Sequence, residues 1–146
     1  MRTTGFALAA LAALAAFTAP AAADSFAGDI SVRDEVHVSH DGKVTLSGTY
    51  RCHTASPERA VFVSASLEQD GSQIGMSGAD AICDGARHDW SSSGSTRPLG
   101  TDLGFHEGDA TVVARLMTLE PGGLAPMPRS LVRHEETVRL AFDRIR

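Results

Sequence analysis

The sequence Lys43-Val44-Thr45-Leu46-Ser47-Gly48-Thr49-Tyr50-Arg51-Cys52 alternates between two kinds of side chain. Its even-numbered residues are apolar or small, and its odd-numbered residues are polar or charged. Successive side chains of a β-strand point to opposite faces, so this pattern predicts a half-buried strand that ends at a cysteine. The same period recurs, more weakly in the first case, in four other segments: Ile30–Val38, Ala60–Gln69, Asp109–Leu119 and Glu136–Phe142.

Turn signals separate these segments. Asp41-Gly42, Asp70-Gly71 and Asp84-Gly85 each place glycine after a residue that tolerates a positive φ, and each predicts a chain reversal. A further short strand is expected over Gln73–Ser77. Short strands with frequent reversals are typical of an all-β, two-sheet sandwich, here of about seven or eight strands.

Two segments show neither strand nor helix periodicity and are predicted to be loops. The first, Ser91–Gly104, is rich in serine and glycine, and the second, Glu120–Ser130, contains three prolines at 121, 126 and 128. Because proline cannot donate to a strand ladder, we expect the preceding strand to end near Leu119 and the final strand to begin after Pro128.

The first 23 residues have the composition of a secretory signal. A basic residue at position 2 precedes an apolar run from Gly5 to Phe17, and Ala21-Ala22-Ala23 supplies small residues for cleavage before Asp24. The alternative is an uncleaved membrane anchor, but the run is shorter than the roughly 20 residues that span a bilayer. The prediction is a signal peptide over 1–23 and one secreted, extracellular domain over 24–146.

The charge balance narrows the class of partner. The 146-residue chain carries a formal net charge of −5. Binding to phosphate groups needs an excess of Lys and Arg, so nucleic acid and anionic membranes are disfavoured. We expect a monomer, free of the membrane after signal cleavage, whose partner is an unidentified extracellular protein or cell-surface component.

The two cysteines, Cys52 and Cys83, are expected to form a disulfide because the chain is exported. A closed loop of this size contributes about 3–4 kcal/mol in the chain-entropy treatment. The alternative is a zinc site that adds His53 and His88. It lacks the paired ligand spacing of recognisable zinc sites.

No catalytic motif is evident. Ser77 lies in Gly75-Met76-Ser77-Gly78, which departs from the Gly-x-Ser-x-Gly elbow of serine hydrolases. Calcium bound by some of the acidic residues between Asp80 and Asp109 is an alternative, although their spacing fits no known calcium loop. The sequence therefore predicts a protein that is not an enzyme, with no cofactor and no metal.

Several short features occur together along the chain. They are Leu46–Cys52, Cys83-Asp84-Gly85, His88, Trp90, Phe105 and Glu107-Gly108. As a set they resemble the small secreted immunoglobulin-like domains of unknown function found in streptomycetes and related actinobacteria. The resemblance implies an extracellular immunoglobulin-like sandwich and brings no activity with it. Trp90 is expected to pack in the core near the disulfide, although antibody domains place tryptophan between the cysteines, which leaves open which strands the disulfide joins.

The function class that fits these features is a non-enzymatic extracellular binding or interaction module. The alternatives are an inhibitor of secreted proteases and a carrier of small apolar ligands. Any partner contact is expected to centre on the segment 120–130, with Leu124, Met127 and Arg129 as contact residues, because loops at the end of a sandwich commonly bind partners. The competing interpretation has Leu124 and Met127 folding back as a lid over the sheet edge.

Cleavage before Asp24 is directly testable. The intact mass of the secreted protein should equal that of residues 24–146, because Ala21 and Ala23 provide the small side chains that signal peptidase needs. A secreted or membrane-bound form that retains residues 1–23 would contradict the prediction.

Overall fold

The structure is a computed structural model that describes residues 26–55, 60–122 and 124–143. The predicted signal and Asp24 lie outside these residues. The described residues form eight strands and one turn of 3₁₀ helix at Pro98–Gly100. The strands are β1 (Phe26–Ile30), β2 (Glu35–Val38), β3 (Lys43–Thr54), β4 (Val61–Gln69), β5 (Ser72–Asp80), β6 (Asp84–Ser95), β7 (Gly108–Gly122) and β8 (Ala125–Phe142).

The strands form an immunoglobulin-like β-sandwich, as the sequence predicts. One layer consists of β1, β3 and β6, with β3 antiparallel to both neighbours. The other has the order β2-β8-β7-β4-β5. A single pair, Val38 with Val44, joins β2 to β3 and makes the hydrogen-bonded sheet continuous from layer to layer. In the described part of the chain, no helix has the length and hydropathy of a membrane span.

The alternation in β3 places its even-numbered residues in the core. Val44 and Leu46 are fully buried, and Gly48, Tyr50 and Cys52 are also buried. The corresponding apolar positions of β4, β7 and β8 face them from the other layer: Val61, Val63, Ala65, Leu67, Ala110, Val112, Ala114, Leu116, Val138 and Leu140. The two-residue period therefore determines which face of each strand is inside.

The chain changes layer after Arg33, whose N–H still donates to the Ser47 carbonyl of β3, whereas the Asp34 carbonyl accepts from the Arg139 N–H of β8. β1 pairs with β3, whereas β2 pairs in parallel with β8 over Arg139–Phe142. Just before the change, the Trp90 indole Nε1–H donates a 2.8 Å hydrogen bond to the Ser31 carbonyl. Gly48 lies directly beneath, and a Cβ there would stand 1.8 Å from the Ser31 oxygen. Trp90 is only 6% exposed, which confirms its predicted place in the core.

Cys52 and Cys83 form the predicted disulfide. It joins the end of β3 to the connection between β5 and β6, rather than two central strands of the sandwich. The Ile82 backbone N–H donates a 2.9 Å hydrogen bond to the Tyr50 hydroxyl beside it. The connection between the layers is thus fixed covalently and by a buried phenol.

Two of the three predicted reversals are correct. Asp41-Gly42 and Asp70-Gly71 turn the chain between β2 and β3 and between β4 and β5. The third is wrong, because Asp84-Gly85 opens β6. Gly85, with φ 83°, lies where the pairing of β3 with β6 changes register between Arg51 and His53. A positive φ followed by continued pairing is the mark of a β-bulge.

The predicted loop Ser91–Gly104 is wrong over its first five residues. Ser91–Ser95 continue β6 and pair with Lys43–Ser47 of β3. Serine and glycine have low strand propensity, but propensity depends on context, and the long regular edge of β3 provides a partner for every residue.

Replacing Gly48 with alanine should destabilise the fold severely. The added Cβ must displace the Ser31 carbonyl, which breaks its bond to Trp90. We expect Gly48→Ala to lower the free energy of unfolding by about 3 kcal/mol or more in chemical denaturation. Fluorescence of the single tryptophan should report a more polar environment.

Gly75→Ala is the matched control. Gly75 also lies in a strand, β5, but its Cβ position has no heavy atom within 4 Å. A loss of stability in Gly75→Ala as large as that in Gly48→Ala would show that close approach is not the cause.

Candidate functional site

The segment 120–130, predicted to be a loop, belongs almost entirely to a β-hairpin. β7 continues to Gly122 and β8 begins at Ala125, so the predicted strand limits at Leu119 and after Pro128 are wrong. The register pairs Leu119 with Pro128, Glu120 with Met127, Pro121 with Pro126 and Gly122 with Ala125.

The three prolines are compatible with this register. Opposite residues of an antiparallel ladder alternate between pairs that exchange hydrogen bonds and pairs that do not. The prolines occupy alternate pairs, Leu119 with Pro128 and Pro121 with Pro126. Since proline has no N–H, these are the pairs that do not exchange bonds, and the backbone there faces the outer edges of the hairpin. The prolines remove edge donors and no ladder donor.

The end of the hairpin extends past the neighbouring strands. β4 pairs with β7 only as far as Thr118, and β2 pairs with β8 only at Arg139–Phe142. Within the described ranges, no strand flanks residues 119–120 and 124–129. We call these residues the hairpin arm.

Apolar side chains of the hairpin arm are in solvent. Leu124 in the turn is 108% exposed, Met127 is 61% exposed and Leu119 is 50% exposed. The expected alternative, in which Leu124 and Met127 fold back as a lid, is therefore wrong. Leu119 and Met127 belong to successive pairs of the register, so they lie on opposite faces of the arm.

An ion pair lies beside Met127. The Arg129 guanidinium Nη1 is 2.8 Å from the Glu120 carboxylate Oε1. Glu120 pairs directly with Met127, and Arg129 is two residues further along β8, so the three side chains share one face. An exposed ion pair contributes at most about 1 kcal/mol to stability. The ion pair restricts the conformations of the Glu120 and Arg129 side chains on either side of the exposed Met127.

The structure thus brings together two of the three predicted contact residues, Met127 and Arg129, and places Leu124 nearby in the turn. Sequence reasoning did not single out Leu119 or Glu120. Their roles depend on which β8 residue each one faces, and only the register reveals that.

Polar side chains also pair with each other or with backbone groups elsewhere in the described structure. The Gln69 side chain is buried, with 5% of its surface exposed. It donates to the His106 and Asp109 carbonyls and accepts from the His106 N–H. At the other end of the sandwich, the Asp84 carboxylate binds His88 at 2.8 Å, and this hydrogen bond lowers the pKa of Asp84. No group of three or more His, Cys, Asp or Glu side chains within the described ranges has a metal-binding arrangement.

A concavity of ≈ 390 Å³ lies beside the disulfide. Asp29, Arg51 and His53 line it together with Ala27, Gly28, Cys52 and Gly85. Arg51 is anchored there by a 2.7 Å bond from Nε to the Gly85 carbonyl. No large apolar side chain is among the described residues that line it.

Residues 26–143 match the model of a family described as a family of unknown function, DUF6299. The chain belongs to DUF6299. This match covers every strand of the sandwich and both halves of the hairpin arm.

No curated protein matches this DUF6299 chain. Solved structures resemble it weakly. The major subunit AggA of aggregative adherence fimbriae type I from Escherichia coli is 10% identical, with a TM-score of 0.42 over 81% of this chain and 95% of that one. Murine CRIg is 11% identical, with a TM-score of 0.38 over 81% and 99%. The alkylpurine DNA glycosylase AlkC of Pseudomonas fluorescens is 13% identical, with a TM-score of 0.42 over 77% of this chain and 30% of that one. At these values the similarities carry no information on function.

His106 offers a test of the loop electrostatics. Its Nε2 lies 2.6 Å from the Asp70 carboxylate, and this hydrogen bond, followed by one to the Glu107 carbonyl, raises the pKa of His106. The protonated form is therefore favoured in the folded state. The stabilisation is complete at pH values below the unfolded-state pKa and is lost as pH rises through the raised folded-state pKa.

Asp70→Asn should lower the pKa of His106 in an NMR titration. Asparagine retains the left-handed backbone that Asp70 adopts at φ 49° but removes the charge. Asp102→Asn is the control, because that carboxylate accepts instead from the Gly104 N–H. Equal shifts in the two variants would contradict the assigned partner.

Proposed function

We propose that this protein is a secreted, non-enzymatic interaction module that contacts an extracellular or cell-surface protein through the hairpin arm. The observation that carries the proposal is the full exposure of Leu124 and the 61% exposure of Met127 on a segment whose backbone is paired within itself. Large apolar side chains held in solvent on a rigid support are typical of protein contact surfaces.

The construction of the arm favours recognition by side chains. Pro126 and Pro128 lie at the outer edge of β8, where they remove the N–H groups that an added strand would need. The paired register also restricts the arm before binding, which lowers the entropic cost of ordering it in a complex. Met127 and Leu119 then present apolar surface on two faces, with Leu124 between them at the turn.

This geometry supports the interaction module over the two alternatives. A protease inhibitor presents an extended segment whose backbone pairs with the enzyme, whereas the backbone of the arm already pairs within the hairpin. An apolar-ligand carrier needs an apolar cavity, and Asp29, Arg51 and His53 line the concavity beside the disulfide.

Site-specific photocrosslinking tests the proposal. p-Benzoylphenylalanine replaces Leu124, Met127 or Leu99 one at a time, and each protein is irradiated on the surface of producing cells. Leu99 is the matched control because it is 105% exposed but lies in the 3₁₀ turn at the opposite end of the sandwich. We expect one discrete adduct from positions 124 and 127 and none from 99.

Competition shows whether the adduct is specific. Excess unlabelled protein should suppress it, whereas the variant Leu124→Ser/Met127→Ser should not, and its melting temperature should be unchanged because both side chains are in solvent. Equal crosslinking from position 99, or full competition by the double variant, would refute the proposal.

A further inference from the structure

A polar groove of ≈ 390 Å³ lies between β2 and β3, at the end of the sandwich opposite the hairpin arm. All eight residues that line it are polar or charged. The groove exists because β2 leaves β3 to pair with β8. The chain bonds to β3 before and after this departure, from the Arg33 N–H to the Ser47 carbonyl and again at Val38 and Val44, and the groove lies between these contacts.

Two cations of the lining have no partner. Within the described part of the chain, neither the Arg33 guanidinium nor the Lys43 ammonium has a hydrogen bond or ion pair from its side chain. Lys43 is also the only lysine of the sequence. Two unpaired cations at one groove are suited to anions, and charge-assisted hydrogen bonds are the stronger kind.

Hydroxyl groups form the β3 side of the groove. Thr45 and Ser47 point outward there, and each faces a serine of β6, Ser93 and Ser91 respectively. The Thr45 and Ser93 hydroxyl oxygens are 3.2 Å apart. Short hydroxyl side chains lose little conformational entropy when they bind and act as both donor and acceptor. They are suited to a ligand rich in hydroxyl groups.

Carboxylates form the β2 side. His37 lies between Glu35, at 3.2 Å from Nε2, and Asp143, at 3.8 Å from Nδ1. Glu35 and Asp143 therefore share the His37 imidazole as a partner. No described carboxylate lies within ion-pair distance of Arg33 or Lys43. The remaining acceptor capacity of the two carboxylates is available to ligand hydroxyls.

We propose that this groove binds an extended, hydroxyl-rich polymer that carries anions, either the carboxylates of an acidic polysaccharide or the phosphates of a polyol phosphate. Arg33 and Lys43 bind the anions, and Thr45, Ser47 and the two carboxylates bind the hydroxyls. The chain as a whole has a net charge of −5, so a polyanion is not attracted non-specifically. Binding must come from the local arrangement.

Affinity electrophoresis in native gels tests the proposal on the secreted protein. The gels contain alginate as the carboxylate polymer, poly(glycerol phosphate) as the phosphate polymer, or neutral dextran. We expect concentration-dependent retardation by at least one anionic polymer, weakened by salt, and none by dextran. Which anionic polymer retards the protein identifies the source of the anion.

Charge-removing variants locate the site. Arg33→Gln and Lys43→Gln should each weaken binding about tenfold, the effect of losing one charge-assisted hydrogen bond. Thr45→Val, which keeps the shape and removes the hydroxyl, should weaken it less. The control is Arg115→Gln, which removes the same charge from β7, where Arg115 is also unpaired among the described residues.

The proposal is overturned by absence of retardation in both anionic gels, by equal retardation in dextran, or by an equal loss in Arg115→Gln. Unchanged melting temperatures of the variants separate loss of binding from loss of fold. Leu124 and Met127 remain intact in every variant, so the outcome is independent of the hairpin arm.

Discussion

The hydrogen bond from the Trp90 indole to the Ser31 carbonyl holds the chain against β3 just before it crosses from one layer of the sandwich to the other. It forms across Gly48, where an added Cβ would stand 1.8 Å from the Ser31 oxygen and 2.8 Å from the Trp90 Nε1. With Ser31 fixed there, the chain reaches β8 and pairs with it in parallel. The groove between β2 and β3 is a result of this departure. The core and a candidate binding surface therefore depend on the same buried donor.

The strands and their buried faces could be predicted from the sequence because apolar residues recur there with a period of two. Val44, Leu46, Tyr50 and Cys52 are buried where alternation predicts, because a one-residue slip would expose all of them together. The disulfide was predicted from the pair of cysteines together with the expectation of export. Where the disulfide attaches could not be predicted, because Cys83 lies in the connection between β5 and β6, which has no strand or helix periodicity.

The errors have a common origin in pairing. Ser91–Ser95 and Pro126–Pro128 have poor strand propensity, and each became a strand because a neighbouring strand supplied its ladder. Proline excludes a residue from a strand only where the N–H is needed, and half of the positions in a hairpin do not need it. The exposure of Leu124 and Met127 was left open by the sequence, because both a contact loop and a lid were compatible with the segment 120–130. Their faces required the register, which no local pattern contains.

The parallel pair of β2 with β8 has a consequence for biosynthesis. β2 lies near the beginning of the described chain and its partner, Arg139–Phe142, near its end. Pairing such distant segments slows folding, because the chain loses the entropy of closing a long loop before the stabilising contacts form. A nascent chain still lacking Arg139 cannot complete this layer, whatever its other strands have done. This layer therefore closes only after Arg139–Phe142 have been synthesised, so the parallel pair forms late in translation rather than strand by strand with the rest of the sandwich.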